Sequence, residues 1–139
     1  MEISEIYNKN FNYKLENKTN MIYTDKNKLR QLLVIFIDNA FKYTNEGDYI
    51  NIDIKDKENN YQIIIEDSGI GIKDDEIKLV FDRFFRSENV RDKDIDGSGI
   101  GLSIAKMIIS GLKGSIKVNS KLNEGTRFVM SIPKRIKNN

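Results

Sequence analysis

DKNKLRQLLVIFIDNAFKYT, residues 25–44, carries apolar side chains at helical spacing along most of its length. Leu29, Leu32, Leu33, Phe36 and Ala40 fall on one stripe, which reads as core. Ile35, Asn39, Lys42 and Tyr43 fall on the neighbouring stripe, which reads as facing something polar. Asn39 stands within a run of Leu, Ile and Phe, so it is expected to be buried. An amide buried without a partner costs about 2–7 kcal/mol. Two readings stay open for it: a polar ligand satisfies the amide, or nearby backbone does. Asp25 sits where an N-cap belongs. Asn45-Glu46-Gly47-Asp48 is turn chemistry with Gly47 in a C-cap position, so the helix is expected to end near Thr44.

Upstream, Phe11, Tyr13 and Leu15 alternate with polar residues and read as a short strand. Met21–Thr24 reads as a second, paired with it across a turn at residues 16–20. Downstream, Ile50, Ile52 and Ile54 alternate with Asn51, Asp53 and Lys55, the pattern of a strand with one wet face. Tyr61–Glu66 reads as its antiparallel partner. Lys73–Asp82, with Ile77, Val80, Phe81 and Phe84 at helical spacing and acidic residues at its start, reads as a helix. Residues 87–96 are almost all polar or charged and read as a mobile loop. A helix from Gly101 to about Leu112 follows. Two strands joined at Asn123-Glu124-Gly125 close the chain, with Ile116, Val118, Phe128, Met130 and Ile132 inward and Pro133 ending the last. Hairpins with helices between them predict an α+β fold, its helices covering one face of a mixed, mainly antiparallel sheet.

The 139 residues suffice for one domain with a real core. Basic and acidic residues nearly balance, 23 against 21, which argues against a dedicated nucleic-acid binder. There is no Cys, so thiolate metal sites and disulfides are excluded. There is no His, so the commonest general base and any phosphohistidine on this chain are excluded as well. No apolar run approaches the roughly 20 residues of a membrane span.

Four stretches share a chemistry. Asp67-Ser68-Gly69-Ile70-Gly71 sets a carboxylate directly after a strand, followed by glycines that allow close backbone approach. An ionised carboxylate only accepts hydrogen bonds, so its natural partner is an amino donor; an ordinary Asp/Gly turn is the other reading. Gly97-Ser98-Gly99-Ile100-Gly101 leads into a helix, where exposed N–H groups suit phosphate, though flexible loops use such triplets too. Val80-Phe81-Asp82-Arg83-Phe84-Phe85-Arg86 sets arginines, fit for a terminal phosphate or simply solvated, among phenylalanines that are core or a stacking platform. Gly125-Thr126 adds one hydroxyl at a turn.

In order, Asp-Asn-Ala-Phe-Lys-Tyr-Thr (38–44), Asp-Ser-Gly-Ile-Gly-Ile (67–72), Val-Phe-Asp-Arg-Phe-Phe-Arg (80–86), Gly-Ser-Gly-Ile-Gly-Leu-Ser-Ile (97–104) and Gly-Thr-Arg-Phe (125–128) resemble the N, G1, F, G2 and G3 boxes of sensor histidine kinases. The resemblance covers residues 11 to 133 and is to the catalytic ATP-binding domain of the gyrase, Hsp90, kinase and MutL superfamily. It implies the Bergerat ATP-binding fold: a two-layer sandwich of a mixed sheet and about three helices, with a flexible lid. It divides the chain into a linker or tail at 1–10, the catalytic domain at 11–135 and a C-terminal tail at 136–139. By the resemblance, Asn39 would ligate Mg²⁺ through its amide oxygen and Lys42 would meet phosphate. Tyr43 would lie near the ribose or adenine, and Asp67 would take the adenine amino group. Gly69, Gly71 and Ile72 would pass the base. Arg86 would reach the γ-phosphate as the lid closes. Gly97, Gly99, Gly101 and Leu102 would carry the phosphates, and Thr126 would sit behind the adenine.

Two departures inform the reading. Many relatives place a second Asn one turn before the first, and the superfamily's ATPases place a Glu base there; this chain has Ile35. Ile can neither bind Mg²⁺ nor activate water, which argues against efficient hydrolysis. The family's acceptor histidine lies on a helical hairpin before this domain, and this chain has none. The resemblance therefore implies an excised catalytic half that binds ATP and Mg²⁺. Its partners would be the acceptor hairpin of the same parent and a response regulator, not nucleic acid. The fragment would be a cytoplasmic monomer, the parent a homodimeric membrane sensor. A superfamily ATPase, an anti-sigma-type serine kinase and a non-catalytic nucleotide sensor are the rival readings.

Overall fold

The computed structural model of the chain describes residues 10–16, 25–82 and 101–134. Five strands form one sheet: β1 (Asn10–Glu16), β2 (Tyr49–Asp56), β3 (Asn60–Asp67), β4 (Ser115–Lys121) and β5 (Gly125–Pro133), in the order β1-β2-β3-β5-β4. β2, β3, β5 and β4 are antiparallel neighbours, with β2–β3 and β4–β5 as the expected hairpins. β1 runs parallel to β2, from Asn10 opposite Tyr49 to Glu16 opposite Lys55. Parallel neighbours need a crossover, and α1 (Lys26–Lys42) lies between these two in sequence. The expected strand at Met21–Thr24 and its turn lie outside the described residues.

α1 starts as its sequence dictates: Asp25 accepts the Lys28 N–H through Oδ1 at 3.1 Å. It ends on Tyr43, and the Thr44 hydroxyl donates to the Ala40 carbonyl at 2.8 Å. Gly47 does not cap the helix. It sits at φ +90° in the following turn, which the Asp48 carboxylate closes on the Asn45 N–H at 2.7 Å.

α1 and α2 (Gly101–Gly111) pack on one face of the sheet. Leu32 and Phe36 from α1, and Ala105 and Ile109 from α2, meet Ile52, Ile54, Ile63, Ile65, Phe128, Met130 and Ile132. The Phe36 and Phe128 rings lie 4.9 Å apart between centroids. Each such side chain contributes about 1.5–3 kcal/mol when fully buried. The architecture is the α+β two-layer arrangement expected, a mainly antiparallel sheet with, among the described residues, two α-helices and one short 3₁₀ helix.

Two local expectations change. Residues Asp74–Leu79 form a 3₁₀ helix, not an α-helix. Its bonds span three residues, Glu76 N–H to Lys73 O at 2.9 Å and, at the cap, Val80 N–H to Ile77 O at 3.4 Å. Val80 is buried beneath it, and the Phe81 ring packs 6.2 Å from Phe128, so Phe81 is core rather than platform. Asn39 is half-buried, not buried. It lies on the edge of the apolar stripe, where α1 leaves the sheet-facing core.

Candidate functional site

Asp67 is the last residue of β3 and Thr126 the second of β5, and the sheet register sets them opposite each other. Both project to the helix-covered face, continuing the inward series Ile63, Ile65 and Phe128, Met130. They are among the few buried polar residues described, 7% and 8% exposed. A carboxylate there loses solvation, and burial pushes its pKa up to about 6. The backbone N–H groups of Gly69 and Thr126 oppose that rise, the first by donating to Oδ1 at 2.9 Å. The expected amino-accepting carboxylate is thus held in a fixed orientation at an apolar floor.

The loop that follows is clamped from two sides. The Ile70 N–H donates to the Tyr43 carbonyl at 3.1 Å, which ties the loop to the end of α1. On the other side the Asn123 N–H donates to the Ile70 carbonyl at 2.7 Å, and the Ile72 N–H donates to Ser120 Oγ at 2.8 Å. These contacts explain both glycines. A Cβ at Gly69 would overlap the Tyr43 carbonyl oxygen, and Gly71 sits at φ +72° against the Lys121 carbonyl. In this structure the two glycines admit the chain's own backbone.

Tyr43 connects this end of the site to the next. Its N–H donates to the Asn39 carbonyl at 3.2 Å, so Asn39 stands one helical turn from the loop anchor. The Asn39 carboxamide has no hydrogen-bond partner among the described residues. Half-buried, the amide is open to solvent, so neither a ligand nor backbone is required to satisfy it. One turn earlier, Ile35 packs on the core and its Cγ2 would lie 3.6 Å from a Cβ at Gly101, the first residue of α2. The start of α2 therefore abuts the Ile35–Asn39 stripe. Leu102 packs against the core beneath it. Lys42 is exposed and pairs with Asp38 at 3.0 Å.

The structure thus brings Asn39, Tyr43, Asp67, Gly69, Gly71, Ile72 and Thr126 around the junction of α1, the β3 loop and the β4–β5 turn. Arg86, Gly97, Gly99, Phe84, Phe85 and the 87–96 loop lie outside the described residues. Among the described residues no cluster of three or more His, Cys, Asp or Glu could hold a metal. A lone half-buried amide oxygen fits a Mg²⁺ that arrives with phosphates and keeps waters, not a resident ion in a protein cage.

Ser120 is the residue that sequence reasoning missed. Its hydroxyl lies 2.8 Å from the Ile72 N, 2.8 Å from the Gly125 carbonyl and 2.8 Å from Thr126 Oγ1. The signal was in the alternation: Ile116 and Val118 point inward, so the next inward position, two residues on, holds a serine where an apolar residue would be ordinary.

The family model described as "Histidine kinase-, DNA gyrase B-, and HSP90-like ATPase" matches residues 24–136. The chain is 39% identical over 121 residues to the sensor protein CiaH of Streptococcus pneumoniae, covering 86% of this chain and 27% of CiaH. It therefore spans about a quarter of that relative's length. Among solved structures, the mycobacterial sensor histidine kinase MprB superposes with a TM-score of 0.81 at 26% identity, covering 95% of this chain and 88% of that one. The catalytic domain of the histidine kinase ThkA gives 0.79 at 26% identity, covering 94% and 84%. ThkA in complex with its response regulator protein TrrA gives 0.75 at 24% identity, covering 94% and 36%.

Proposed function

The chain belongs to the family of histidine kinase-, DNA gyrase B- and HSP90-like ATPases, and on that premise we propose that it is the ATP-binding catalytic domain of a two-component sensor histidine kinase. The observation that carries the reading is the buried, donor-clamped Asp67 opposite Thr126, one clamped loop away from the half-buried amide of Asn39. Asp67 would accept from the adenine amino group and Thr126 would lie against the base. Asn39 would take the Mg²⁺ carried by the triphosphate, and Lys42 would leave Asp38 for phosphate. Gly97, Gly99, Gly101, Leu102 and Arg86 would serve the phosphate end, and Tyr43, Gly69, Gly71 and Ile72 would wall the base and ribose.

In the reaction an acceptor imidazole nitrogen attacks the γ-phosphorus. The P–N bond forms, the bond to the β,γ-bridging oxygen breaks, and ADP leaves with the electron pair. Such transfer needs positioning and charge stabilisation rather than covalent work by the protein. The acceptor must come from outside, since the chain has no His. Ile35, apolar and packed on the core, offers no base for water where an ATPase of this family would have one. That favours phosphoryl transfer over hydrolysis. The partners of this reading are an acceptor hairpin of the same parent and a response regulator. No described helix is long and apolar enough to cross a membrane, and the reading places the domain on the cytoplasmic side of a homodimeric membrane sensor.

The test mixes the chain with [γ-³²P]ATP, Mg²⁺ and acceptor-hairpin fragments from sensor kinases. Acid-labile, base-stable label on the hairpin is expected. Label on none of them, with phosphate released instead, would favour the ATPase reading.

A further inference from the structure

Ser120 has three polar neighbours and one proton. The Ile72 N–H can only donate to Ser120 Oγ, and the Gly125 carbonyl can only accept from it. The single Ser120 proton is therefore spent on Gly125. The remaining 2.8 Å contact, to Thr126 Oγ1, is then satisfied only if Thr126 donates to Ser120. One assignment satisfies all three contacts, and it fixes the Thr126 hydroxyl with its proton turned away from Asp67's side of the site and its lone pairs left over.

From this we infer that Ser120 is a positioning residue for nucleobase selection, acting through Thr126. It presets Thr126 Oγ1 as an acceptor beside the acceptor Asp67, so that the site takes a purine carrying a 6-amino group and rejects one carrying a 6-oxo group. The inference rests on the reading of this site as an ATP site. It adds a residue that does not itself touch the base. With Ser120 in place, the 6-oxo oxygen itself, an acceptor, faces two acceptors where a 6-amino group offers N–H donors. Without its hydroxyl, the Thr126 proton is free to rotate toward the ligand, and the oxo group gains a donor.

The experiment is calorimetric titration of the full 139-residue chain with Mg-ATP and with Mg-ITP, whose base differs by 6-oxo for 6-amino. The wild-type chain is expected to prefer ATP. Ser120→Ala is expected to shrink the ATP-over-ITP ratio about fivefold, the scale of one hydrogen bond gained or lost. Ser120→Thr, which keeps the hydroxyl, is expected to restore it. In a Thr126→Val background, Ser120→Ala is expected to leave the ratio unchanged. A Ser120→Ala chain that weakens ATP and ITP equally overturns the inference, because a purely structural role predicts that. So does a ratio change that survives in the Thr126→Val background. Should Ser120→Ala melt below the titration temperature, Ser120→Cys carries the test: it keeps the shape with a much weaker acceptor, and an unchanged ratio overturns the inference. A wild-type chain that binds no ATP overturns the ATP reading itself, an outcome separate from any Ser120 result.

Discussion

The Ile70 N–H donates to the Tyr43 carbonyl oxygen at 3.1 Å, joining the loop after the site carboxylate to the last turn of the helix that bears Asn39. That one bond holds two chemically different ends of the site in a fixed relation. It exists only because residue 69 has no side chain.

Gly69→Ala tests this directly. The added Cβ would overlap backbone, which cannot swing aside as a side chain does. A loss of about 2 kcal/mol in stability is expected, together with a fall in ATP affinity larger than the fall in stability alone would cause at a temperature where the chain is folded. Thermal melts and ATP titration check it. Wild-type affinity in a folded variant would show that the clamp is not needed.

Asp67→Asn should trade binding for stability. Burial raises the Asp67 pKa from the ordinary 3.8 to about 6, so the folded chain holds a proton that the unfolded chain releases between those values. The Asp67 contribution to stability is therefore fully present below about pH 4 and is lost as pH rises through about 6, by roughly 3 kcal/mol. The variant escapes that loss. It is expected to melt higher than wild type at pH 7 and equally at pH 4, while binding ATP about tenfold more weakly. Melts at both pH values and one titration suffice.

Lys42 and Asp38 form an exposed pair on one helix face, worth about 0.3–0.5 kcal/mol. Lys42→Ala should weaken ATP binding and leave adenosine binding unchanged, because adenosine has no phosphate. Asp38→Ala frees the ammonium and should strengthen ATP binding about twofold, an effect that disappears at high salt. Equal losses for ATP and adenosine on removal of Lys42 would move it away from the phosphates.

Ile35→Glu places a carboxylate one turn before Asn39, beside the start of α2. Phosphate release from ATP is expected to rise above the wild-type level, as a base becomes available to water. Colorimetric phosphate assay checks it, with Ile35→Gln as the control that adds bulk and polarity but no base.

Much of this was legible in the chain itself. Leu32, Phe36 and Ala40 repeat at helical spacing and all three are buried, and Phe128, Met130 and Ile132 alternate and all three are buried. Local period determines such faces, so local sequence reports them. The 3₁₀ helix was not legible, because over six residues a period of 3.0 and one of 3.6 select the same positions. Nor was the parallel partnership of β1, which depends on a strand more than thirty residues away. Asp67 could be singled out from its place between a strand and two glycines. The reason for those glycines could not, since the Tyr43 and Lys121 carbonyls that crowd them are remote in sequence. Ser120 escaped because its function lies in which neighbour receives its proton.

β3 lies between β2 and β5, bonded along both edges, while the Gly101 end of α2 is exposed. Amides in the inner part of such a strand exchange with solvent only when the sheet itself comes apart, and helix starts fray far more often. On the proposed reading, a bound nucleotide would therefore be moored at its base and loosely berthed at its tail. Departure would then begin with the phosphates, and spent ADP would swing its tail free of the docking partner before the adenine lets go.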